Sequence, residues 1–317
     1  MFIGVDLGGT NIAVGIVDES GQLKHQKSVP TRSERKPEAI IKDIIDLISE
    51  VIKDSGKTKE EVKAIGIGIP GLADPKTGDV IECVNLNWRK VPLKKPMEKA
   101  LGIPVFIDND ATLAGLAEYE AGAMKNKKNG VFMTLGTGIG GGVIIDGKIH
   151  TGSNGVGSEI GHMIVGENYY DCNCGRNGCI ETFASSTALI NYTKKLINEE
   201  NSETIMTEKL NGNIDNLDGK IIFHAAIRGD ELANKAVDRL VKYLAIGIMN
   251  ITSVIDPEIF VLGGGISKAG TFLLDKVRAE VLKNKYFKTL PVGDIVLAEL
   301  SNDAGIIGAA MLGKHNV

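Results

Sequence analysis

Two similar glycine-rich stretches decide the fold: VDLGGTNIAVGIVD at residues 5–18 and MTLGTGIGGGVIID at residues 133–146. In each, an apolar run is followed by glycines and then by a second apolar run, which is the pattern of two strands joined by a turn. The stretches begin 128 residues apart, about the length of one domain. They predict two related halves, each beginning with a β-hairpin.

The glycine turns of the two hairpins are candidate anion sites. Backbone amides that line a glycine-rich concavity form a nest for anions, and phosphate is its usual ligand. The turns therefore predict a phosphate-bearing ligand. A third cluster, Gly263 to Gly265, follows an apolar strand and precedes a helical stretch that begins near Ala269.

A dinucleotide-binding fold is excluded by the context of these glycines. Residues 66–71 (GIGIPG) and 136–141 (GTGIGG) match or nearly match the dinucleotide fingerprint. That fingerprint must open a helix, whereas Gly141 leads into a strand and Gly71 leads into a turn-rich segment. The chain also has no G-x-x-x-x-G-K-[S/T] loop, so a P-loop ATPase is excluded.

Periodicity between the turns indicates an α/β protein. Two segments have a wide apolar face with helical spacing, and four short apolar runs read as strands. The helices are predicted at 37–54 and 230–255, and the strands at 64–69, 105–107, 131–135 and 258–262. Alternation of strands with helices is typical of α/β folds.

Length and composition point to an intracellular enzyme of two domains. The chain has 317 residues, of which 43% are hydrophobic, and a net charge of −4. No basic block indicates a nucleic-acid surface, and no apolar run reaches the ~20 residues of a membrane span. The N-terminus reads as a strand rather than an export signal, so a cytoplasmic location is expected.

A cysteine cluster with one histidine predicts a structural zinc site. Cys172, Cys174 and Cys179 fall within eight residues, and His162 precedes them. Three thiolates and one imidazole are a common tetrahedral set for zinc, and the intervening glycines at 175 and 178 suit the tight turns required. The alternative is a set of buried free thiols.

Glu159 and Glu181 bracket this cluster without belonging to the ligand set. Carboxylates held still by a metal site accept hydrogen bonds from neutral hydroxyl groups, as a polyol ligand requires. The second ring nitrogen of His162 would remain available to a carbonyl, a carboxylate or a ligand hydroxyl. The alternative for each glutamate is a solvated surface charge.

One strand ends in an Asp-Asn-Asp run at residues 108–110, directly before a helical segment. Ligands of open α/β sheets bind beyond the carboxyl ends of strands. Asp110 is therefore a candidate base that accepts a proton from a hydroxyl attacking a phosphate, and Asn109 a candidate for binding the same ligand. The alternative is helix capping by one of these residues.

These motifs together resemble the ROK family, which comprises bacterial sugar kinases, sugar-responsive repressors and open reading frames. The similarity runs from residue 1 to about residue 310, and the zinc motif with its flanking glutamates is its most specific part. The matching segments are GVDLGGT at 4–10, GIGIPG at 66–71, NDA at 109–111, TLGTGIGGG at 134–142, EIGH at 159–162, CxCGxxGCxE at 172–181 and VLGGG at 261–265.

The resemblance implies an α/β, actin-like ATPase fold, which is a duplicated ribonuclease-H-like fold, with ATP and sugar meeting in a cleft between two lobes. The small lobe would comprise residues 1–113 and 303–317. The large lobe would comprise residues 114–302 and carry the structural zinc site. The internal repeat at 5–18 and 133–146 agrees with this duplication.

The resemblance also implies a role for each matching residue. Asp110 would be the base for the 6-hydroxyl of the sugar, and Asp6 would help to hold Mg²⁺ bound with ATP. The sugar would be bound by Asn109, Glu159, His162 and Glu181, with Gly71 and Asn85 as weaker candidates. The phosphates would be bound by Gly8, Gly9, Thr10, Asn11, Thr137 and Gly138, and Gly264 and Gly265 would lie against the adenosine.

Glucose is the expected substrate, because the segment at Pro70-Gly71 and the whole zinc segment resemble bacterial glucokinases of this family. N-acetylmannosamine, N-acetylglucosamine, fructose and allose remain alternatives. A sugar-binding regulator is the second class, disfavoured because Asp6 lies too close to the start for a preceding helix-turn-helix. A glycolytic glucokinase, forming a homo-oligomer (dimer or tetramer), is therefore expected.

Overall fold

A computed structural model describes residues 1–200 and 203–317 of the chain. Two compact units are present. Unit 1 comprises Met1–Phe132, Gly142–Ser158 and Ala298–Val317, and unit 2 comprises Met133–Gly141 and Glu159–Leu297. These bounds differ from those of the two lobes expected at 1–113 plus 303–317 and at 114–302. The expected lobes are defined by the cleft that would bind ligands, and this division stays a prediction.

The described residues form strands and helices that are numbered in chain order. The strands are β1 (Phe2–Leu7), β2 (Asn11–Val17), β3 (Leu23–Pro30), β4 (Ala64–Ile69), β5 (Leu72–Ala73), β6 (Val80–Cys83), β7 (Trp88–Val91), β8 (Val105–Asn109), β9 (Gly130–Leu135), β10 (Ile139–Ile145), β11 (Lys148–Ile149), β12 (Ile259–Gly263) and β13 (Asp294–Leu297). The helices are α1 (Pro37–Asp54), α2 (Lys94–Leu101), α3 (Asp110–Ala121), α4 (Glu181–Ala184), α5 (Ser186–Glu199), α6 (Thr207–Leu210), α7 (Gly219–Ile227), α8 (Glu231–Ile255), α9 (Gly264–Ser267), α10 (Thr271–Asn284) and α11 (Ala304–His315).

Strand order confirms the predicted duplication. One five-stranded sheet has the order β3-β2-β1-β4-β8, and a second has the order β11-β10-β9-β12-β13. If the five strands of each sheet are numbered in chain order, both sheets have the order third, second, first, fourth, fifth. In the first sheet β1 pairs with β2 antiparallel and with β4 parallel. In the second sheet β9 is hydrogen-bonded to β10, so each half begins with the pair of strands predicted around its glycine turn. A small antiparallel sheet, β5-β6-β7, belongs to unit 1.

Alternation along the strands of unit 1 sends side chains to two different faces of the sheet. Ile3, Val5 and Leu7 belong to a buried cluster that includes the apolar face of α1. Phe2 belongs to a second buried cluster, with residues of α3 and α11. The core of unit 1 therefore has one layer on each side of the sheet.

Glycines on the second face bring α11 unusually close to the sheet. A Cβ at Gly4 would lie 1.8 Å from the carbonyl oxygen of Ile306, and one at Gly66 would lie 1.7 Å from that of Ala309. Any side chain at either position would push the helix away. The same face ends, at the carboxyl edge of the sheet, with Asp6, Gly68 and Asp108 in register.

Helix α8 is the centre of unit 2. This helix has 25 residues, begins at Glu231 after the cap residue Asp230, and buries Leu240, Val241 and Leu244. Helices α4, α5, α7 and α10 all pack against it. Because α8 contacts so many elements, its side chains are available to fix the position of neighbouring loops.

The elements predicted from periodicity are present with small shifts. The helix predicted at 37–54 has those bounds, and the strand predicted at 64–69 has them also. The strand predicted at 105–107 continues to Asn109, which brings Asp108 and Asn109 into the sheet. Within residues 1–200 and 203–317, no helix is both long and apolar enough to cross a membrane.

Candidate active site and metal centre

The four side chains predicted to bind zinc come together within unit 2. The ligand atoms of His162, Cys172, Cys174 and Cys179 all lie within 4.8 Å of one another. The Sγ of Cys172 is 3.6 Å from Nδ1 of His162, and the Sγ atoms of Cys174 and Cys179 are 3.6 Å apart. None of the three thiols is in a disulfide. The cluster therefore has the donors and the spacing to bind a metal ion.

Local backbone contacts shape the cysteine loop. The amide of Cys172 donates to the carbonyl of Arg176 at 2.8 Å, and that of Gly175 donates to the carbonyl of Cys172 at 2.9 Å. Gly175 and Gly178 have φ values of +84° and +91°, which residues other than glycine rarely adopt. The turns predicted from these two glycines are present, and they direct the sulfurs to one point.

Charge around the loop favours the thiolate at its exposed end. The hydrogen bond from the Arg176 side chain lowers the pKa of Cys174 to about 6. Burial, in contrast, raises the pKa of Cys172 to about 12. A metal ion binds the thiolate form, so its binding would release the proton of Cys172.

The two bracketing glutamates lie beside this cluster. Nε2 of His162 is 4.0 Å from Oε2 of Glu159, which is too long for a direct hydrogen bond. Oε1 of Glu181 is 3.8 Å from the Sγ of Cys172. Since Nδ1 of His162 faces the cysteines, its Nε2 remains on the side of Glu159 and available to another group.

Glu181 also contacts the second glycine turn. Its Oε2 accepts a hydrogen bond from the amide of Ile139 at 2.9 Å. A Cβ at Gly138 would lie 2.2 Å from the same oxygen, so only glycine leaves room for the carboxylate. A residue predicted to bind sugar and a turn predicted to bind phosphate are thus in direct contact inside unit 2.

The two glycine turns leave matching amides without protein partners. The amide of Gly8 donates to the carbonyl of Asn11 at 2.9 Å, and that of Gly136 donates to the carbonyl of Gly138 at 3.0 Å. In the described part of the chain, the amides between these bonds donate to no protein group. They belong to Gly9 and Thr10 in the first turn and to Thr137 and Gly138 in the second. Such paired amides favour an anionic ligand.

The third glycine cluster combines a crowded glycine with an open one. Gly264 has φ of +83°, and its Cβ would lie 2.6 Å from the carbonyl oxygen of Leu135. Next to it, a Cβ at Gly265 would have no atom within 4 Å. The backbone at Gly265 is therefore open to a ligand, whereas that at Gly264 packs against β9.

In unit 1, Asn109 is the N-cap of α3 and also contacts Gly71. Its Oδ1 accepts from the amides of Ala111 at 2.9 Å and Thr112 at 3.2 Å, and its Nδ2 donates to the carbonyl of Gly71 at 3.2 Å. Capping, the alternative raised for this run, is therefore one role of Asn109. Since the oxygen has two acceptor sites, only the second Nδ2 hydrogen remains for a ligand.

Three further predicted residues of unit 1 lie near the ends of β1 and β8 or beside the first glycine turn. Asp110 is the first residue of α3, and its Oδ1 accepts from the amide of Ala111 at 2.7 Å. Asn85 lies against the first glycine turn, since a Cβ at Gly9 would be 3.3 Å from Asn85 Cβ. Burial raises the pKa of Asp6, and no cation among the described residues forms an ion pair with it.

Asp108 is a further candidate residue of this site, to which the sequence alone assigned no role. Register places its side chain on the same face as that of Asp6, with Gly68 between them. Burial raises the pKa of the Asp108 carboxyl to about 6, although the amide of Asn109 donates to its Oδ1 at 2.7 Å. The run of three polar residues at 108–110 was the signal. Only the extension of β8 to Asn109 places Asp108 in the sheet and so distinguishes it from its two neighbours.

Asp108 is expected to destabilise the folded chain at neutral pH. Its pKa is higher in the folded state, about 6, than its ordinary value of 3.8, so the folded state holds the proton more tightly. The contribution of Asp108 to stability is therefore fully present below pH ~4 and is lost as pH rises through about 6. Asp108→Asn should raise the free energy of unfolding by on the order of 1–3 kcal/mol at pH 7.

Urea denaturation between pH 4 and 8 measures this difference, with the exposed Asp46→Asn on α1 as the control. The advantage of Asp108→Asn should shrink as pH falls from about 6 to about 4. A difference that does not change with pH would contradict the buried carboxylate as its cause.

Comparison with known proteins assigns the family. The model of the ROK family matches residues 2–316. The glucokinase of Thermotoga maritima is 38% identical and that of Streptomyces coelicolor 37% identical, each over 99% of this chain and over 98% and 97% of their own lengths. The structure of a ROK family glucokinase from Streptomyces griseus, in complex with glucose and AMPPNP, is 34% identical and superposes with a TM-score of 0.81. That match covers 99% of both chains.

The chain therefore belongs to the ROK family. The resemblance noted from its sequence motifs is confirmed, and so is the predicted actin-like α/β fold, to which the repeated strand order and the superposition both point.

Proposed function

We propose that this chain is an ATP-dependent kinase that phosphorylates the 6-hydroxyl of glucose. The observation that carries the proposal is its similarity to glucokinases over almost the whole of both chains. The contact between Glu181 and the second glycine turn supports it, because a kinase must bring a sugar and a phosphate together. Phosphoryl transfer depends mainly on such positioning and on charge stabilisation.

On the sugar side, Asp110 would act as the base for the attacking hydroxyl. Glu159 and Glu181 would accept hydrogen bonds from other sugar hydroxyls, and His162 would contribute Nε2, the nitrogen turned away from the cysteines. Asn109 would donate only, because its oxygen already caps α3. Gly71 would support Asn109 through its carbonyl, and Asn85 lies beside the first turn.

On the nucleotide side, the amides of the two glycine turns would bind phosphate, with Asn11 at the start of β2. Asp6 would help to hold Mg²⁺, and its carboxylate fits this role because it is partly buried with a raised pKa and pairs with no cation in the described chain. When bound, Mg²⁺ would offset the charge of the phosphates. Gly264 and Gly265 would lie along the adenosine.

We also propose that the metal centre holds zinc. In a regular tetrahedron with Zn–S bonds of about 2.3 Å and Zn–N bonds of about 2.0 Å, two sulfurs lie ~3.8 Å apart and sulfur and nitrogen ~3.5 Å apart. The corresponding distances of 3.6 Å in this cluster fit that geometry. Four protein ligands complete the set, so the metal would have a structural role.

Adjacent glycines offer a matched test of the nucleotide site. Gly264→Ala should lower the melting temperature by several degrees, because the new methyl group meets Leu135 and the φ of +83° disfavours it. Gly265→Ala should fold normally and raise the KM for ATP about tenfold, a factor that corresponds to about 1.4 kcal/mol, with the KM for glucose unchanged. Thermal unfolding and steady-state kinetics measure both. An unchanged KM for ATP in Gly265→Ala would contradict contact with the adenosine.

A coupled assay of ADP release with a panel of hexoses tests the proposed reaction. We expect glucose to give the highest kcat/KM, with fructose, allose, N-acetylmannosamine and N-acetylglucosamine lower. ATP without sugar measures background hydrolysis. Preference for another hexose would retain the kinase and correct its substrate. Tight sugar binding without turnover of any hexose would instead favour a sugar-binding regulator.

The remaining expectations from the sequence stay predictions. They are a cytoplasmic location, a role in glycolysis, a homo-oligomeric state of two or four subunits, and the absence of a nucleic-acid partner. Gel filtration with light scattering would measure the number of subunits.

A further inference from the structure

A cage of aromatic rings surrounds the guanidinium of Arg239 on α8. The rings come from four different positions of unit 2, and their centroids lie 4.4 to 5.8 Å from the guanidinium carbon. They belong to Tyr169, Phe183, Tyr192 and Tyr243. Within the described residues, Arg239 forms no ion pair with a carboxylate. Arginine in such a cage is held by the ring faces and has lost most of its freedom to rotate.

Among the described residues, the caged guanidinium makes one directed hydrogen bond. Its Nη2 donates to Oδ1 of Asn168 at 2.8 Å. Oδ1 of Asn168 also accepts from the backbone amide of Tyr169 at 2.9 Å. Together the two bonds fix the orientation of the Asn168 side-chain amide, because Nδ2 then points to the carbonyl of Thr182, to which it donates at 2.8 Å. A bond from a charged donor is roughly twice as strong as one between neutral groups.

Asn168 joins Arg239 to both parts of the candidate site. Thr182 directly follows Glu181, so the bond to its carbonyl holds the start of α4. The backbone amide of Asn168 donates to Oδ1 of Asn177 at 2.8 Å, and Nδ2 of Asn177 donates back to the backbone carbonyl of Asn168 at 3.0 Å. Asn177 lies in the cysteine loop, between Cys174 and Cys179. The side chain of Asn168 thus braces the helix that begins at Glu181, and its backbone braces the cysteine loop.

We propose that Arg239 is a positioning residue for sugar binding, which acts through Asn168 to orient Glu181 and the cysteine loop. The inference rests on the proposed sugar kinase function, in which Glu181 binds the sugar. Helix α8 supplies the rigid base, since four other helices pack on it. A second bond to the Thr182 carbonyl, from the hydroxyl of Tyr170 at 2.8 Å, ends at the same point.

Substitutions at both ends of the Arg239–Asn168 bond test this role. Arg239→Met should raise the KM for glucose at least tenfold and leave the KM for ATP within twofold of its original value. The KM for glucose of Arg239→Lys should lie between those of Arg239→Met and the unmodified protein. An ammonium fits the cage but lacks the planar fork that orients the amide of Asn168. A purely structural role would lower the active fraction, and hence kcat, without moving the KM for glucose.

A double-mutant cycle makes the coupling specific. If Arg239 acts through Asn168, then Arg239→Met combined with Asn168→Ala should be no worse than the more severe single variant. Additive effects would overturn the proposal. The control is Arg278→Met on α10, because Arg278 also ties a helix of unit 2 to backbone, with Nε and Nη2 donating to the carbonyl of Ile295. It should leave the KM for glucose within twofold.

Hydrogen exchange provides a readout that does not depend on catalysis. Backbone amides of residues 177–183 should exchange faster in Arg239→Met than in Arg278→Met. Unchanged exchange there, or an unchanged KM for glucose, would overturn the role of Arg239. If the unmodified protein phosphorylates no hexose, the proposed function fails, and faster exchange at 177–183 would still support the coupling. If Arg239→Met does not fold, Arg239→Lys and Asn168→Ala carry the same test.

Discussion

Replacing Asp110 by asparagine is expected to lower kcat by ~10²- to 10⁴-fold, the range for loss of a general acid or base. Asparagine cannot accept the proton of the attacking hydroxyl, yet its oxygen can keep the hydrogen bond that Asp110 Oδ1 accepts from the amide of Ala111. The fold and the start of α3 should therefore be retained. The KM for glucose should change much less than kcat.

Initial rates of ADP release at saturating glucose measure the loss in kcat, and calorimetric titration measures glucose binding by the variant. Asp46→Asn, an exposed carboxylate of α1, serves as the control and should have normal kinetics. If Asp110→Asn retained near-normal turnover with an intact fold, another group would have to be the base. Loss of glucose binding together with turnover would assign Asp110 to binding instead.

Replacing Cys174 by serine should remove the metal and weaken glucose binding together. The variant leaves two sulfurs and one imidazole, a set that no longer completes the tetrahedron. The loop would lose the constraint that holds His162 and sets Glu181 beside Cys172. We expect loss of zinc, a fall in glucose affinity of at least tenfold and a lower melting temperature. ATP binding, which depends on the glycine turns, should be largely retained.

Elemental analysis of the purified variant measures zinc, and separate titrations measure glucose and ATP. The control is Cys83→Ser, which changes the one cysteine outside the cluster and should keep the metal. A zinc-free Cys174→Ser protein with unaltered glucose affinity would contradict the link between metal and sugar. A variant that binds neither ligand would indicate that the whole of unit 2 depends on the metal.

Local patterns in the sequence determined much of the architecture. The hairpins at residues 5–18 and 133–146 could be predicted because a strand, a glycine turn and a second strand are coded by neighbouring residues. The helix at 37–54 followed from its apolar periodicity. The cluster of one histidine and three cysteines could also be predicted, since its four residues lie between positions 162 and 179 and short turns suffice to join them.

Other features depended on the register and packing of segments far apart in the chain. Asp6 and Asp108 share a face only because β1, β4 and β8 pair in one register, with Gly68 between them. Whether Asn109 capped a helix or bound a ligand could not be decided from an Asp-Asn-Asp run alone, since both roles use the same side chain.

The sequence by itself determined the duplicated α/β fold, the glycine turns and the cluster of one histidine and three cysteines, because each depends on patterns of residues close together in the chain. Only the tertiary structure placed Glu181 against Gly138 and closed four aromatic rings around Arg239. The rings of this cage come from residues 169 to 243, and no periodicity relates them. The cage forms where α4, α5 and the segment at Tyr169 meet α8, so it is decided by the packing of whole elements rather than by any local pattern.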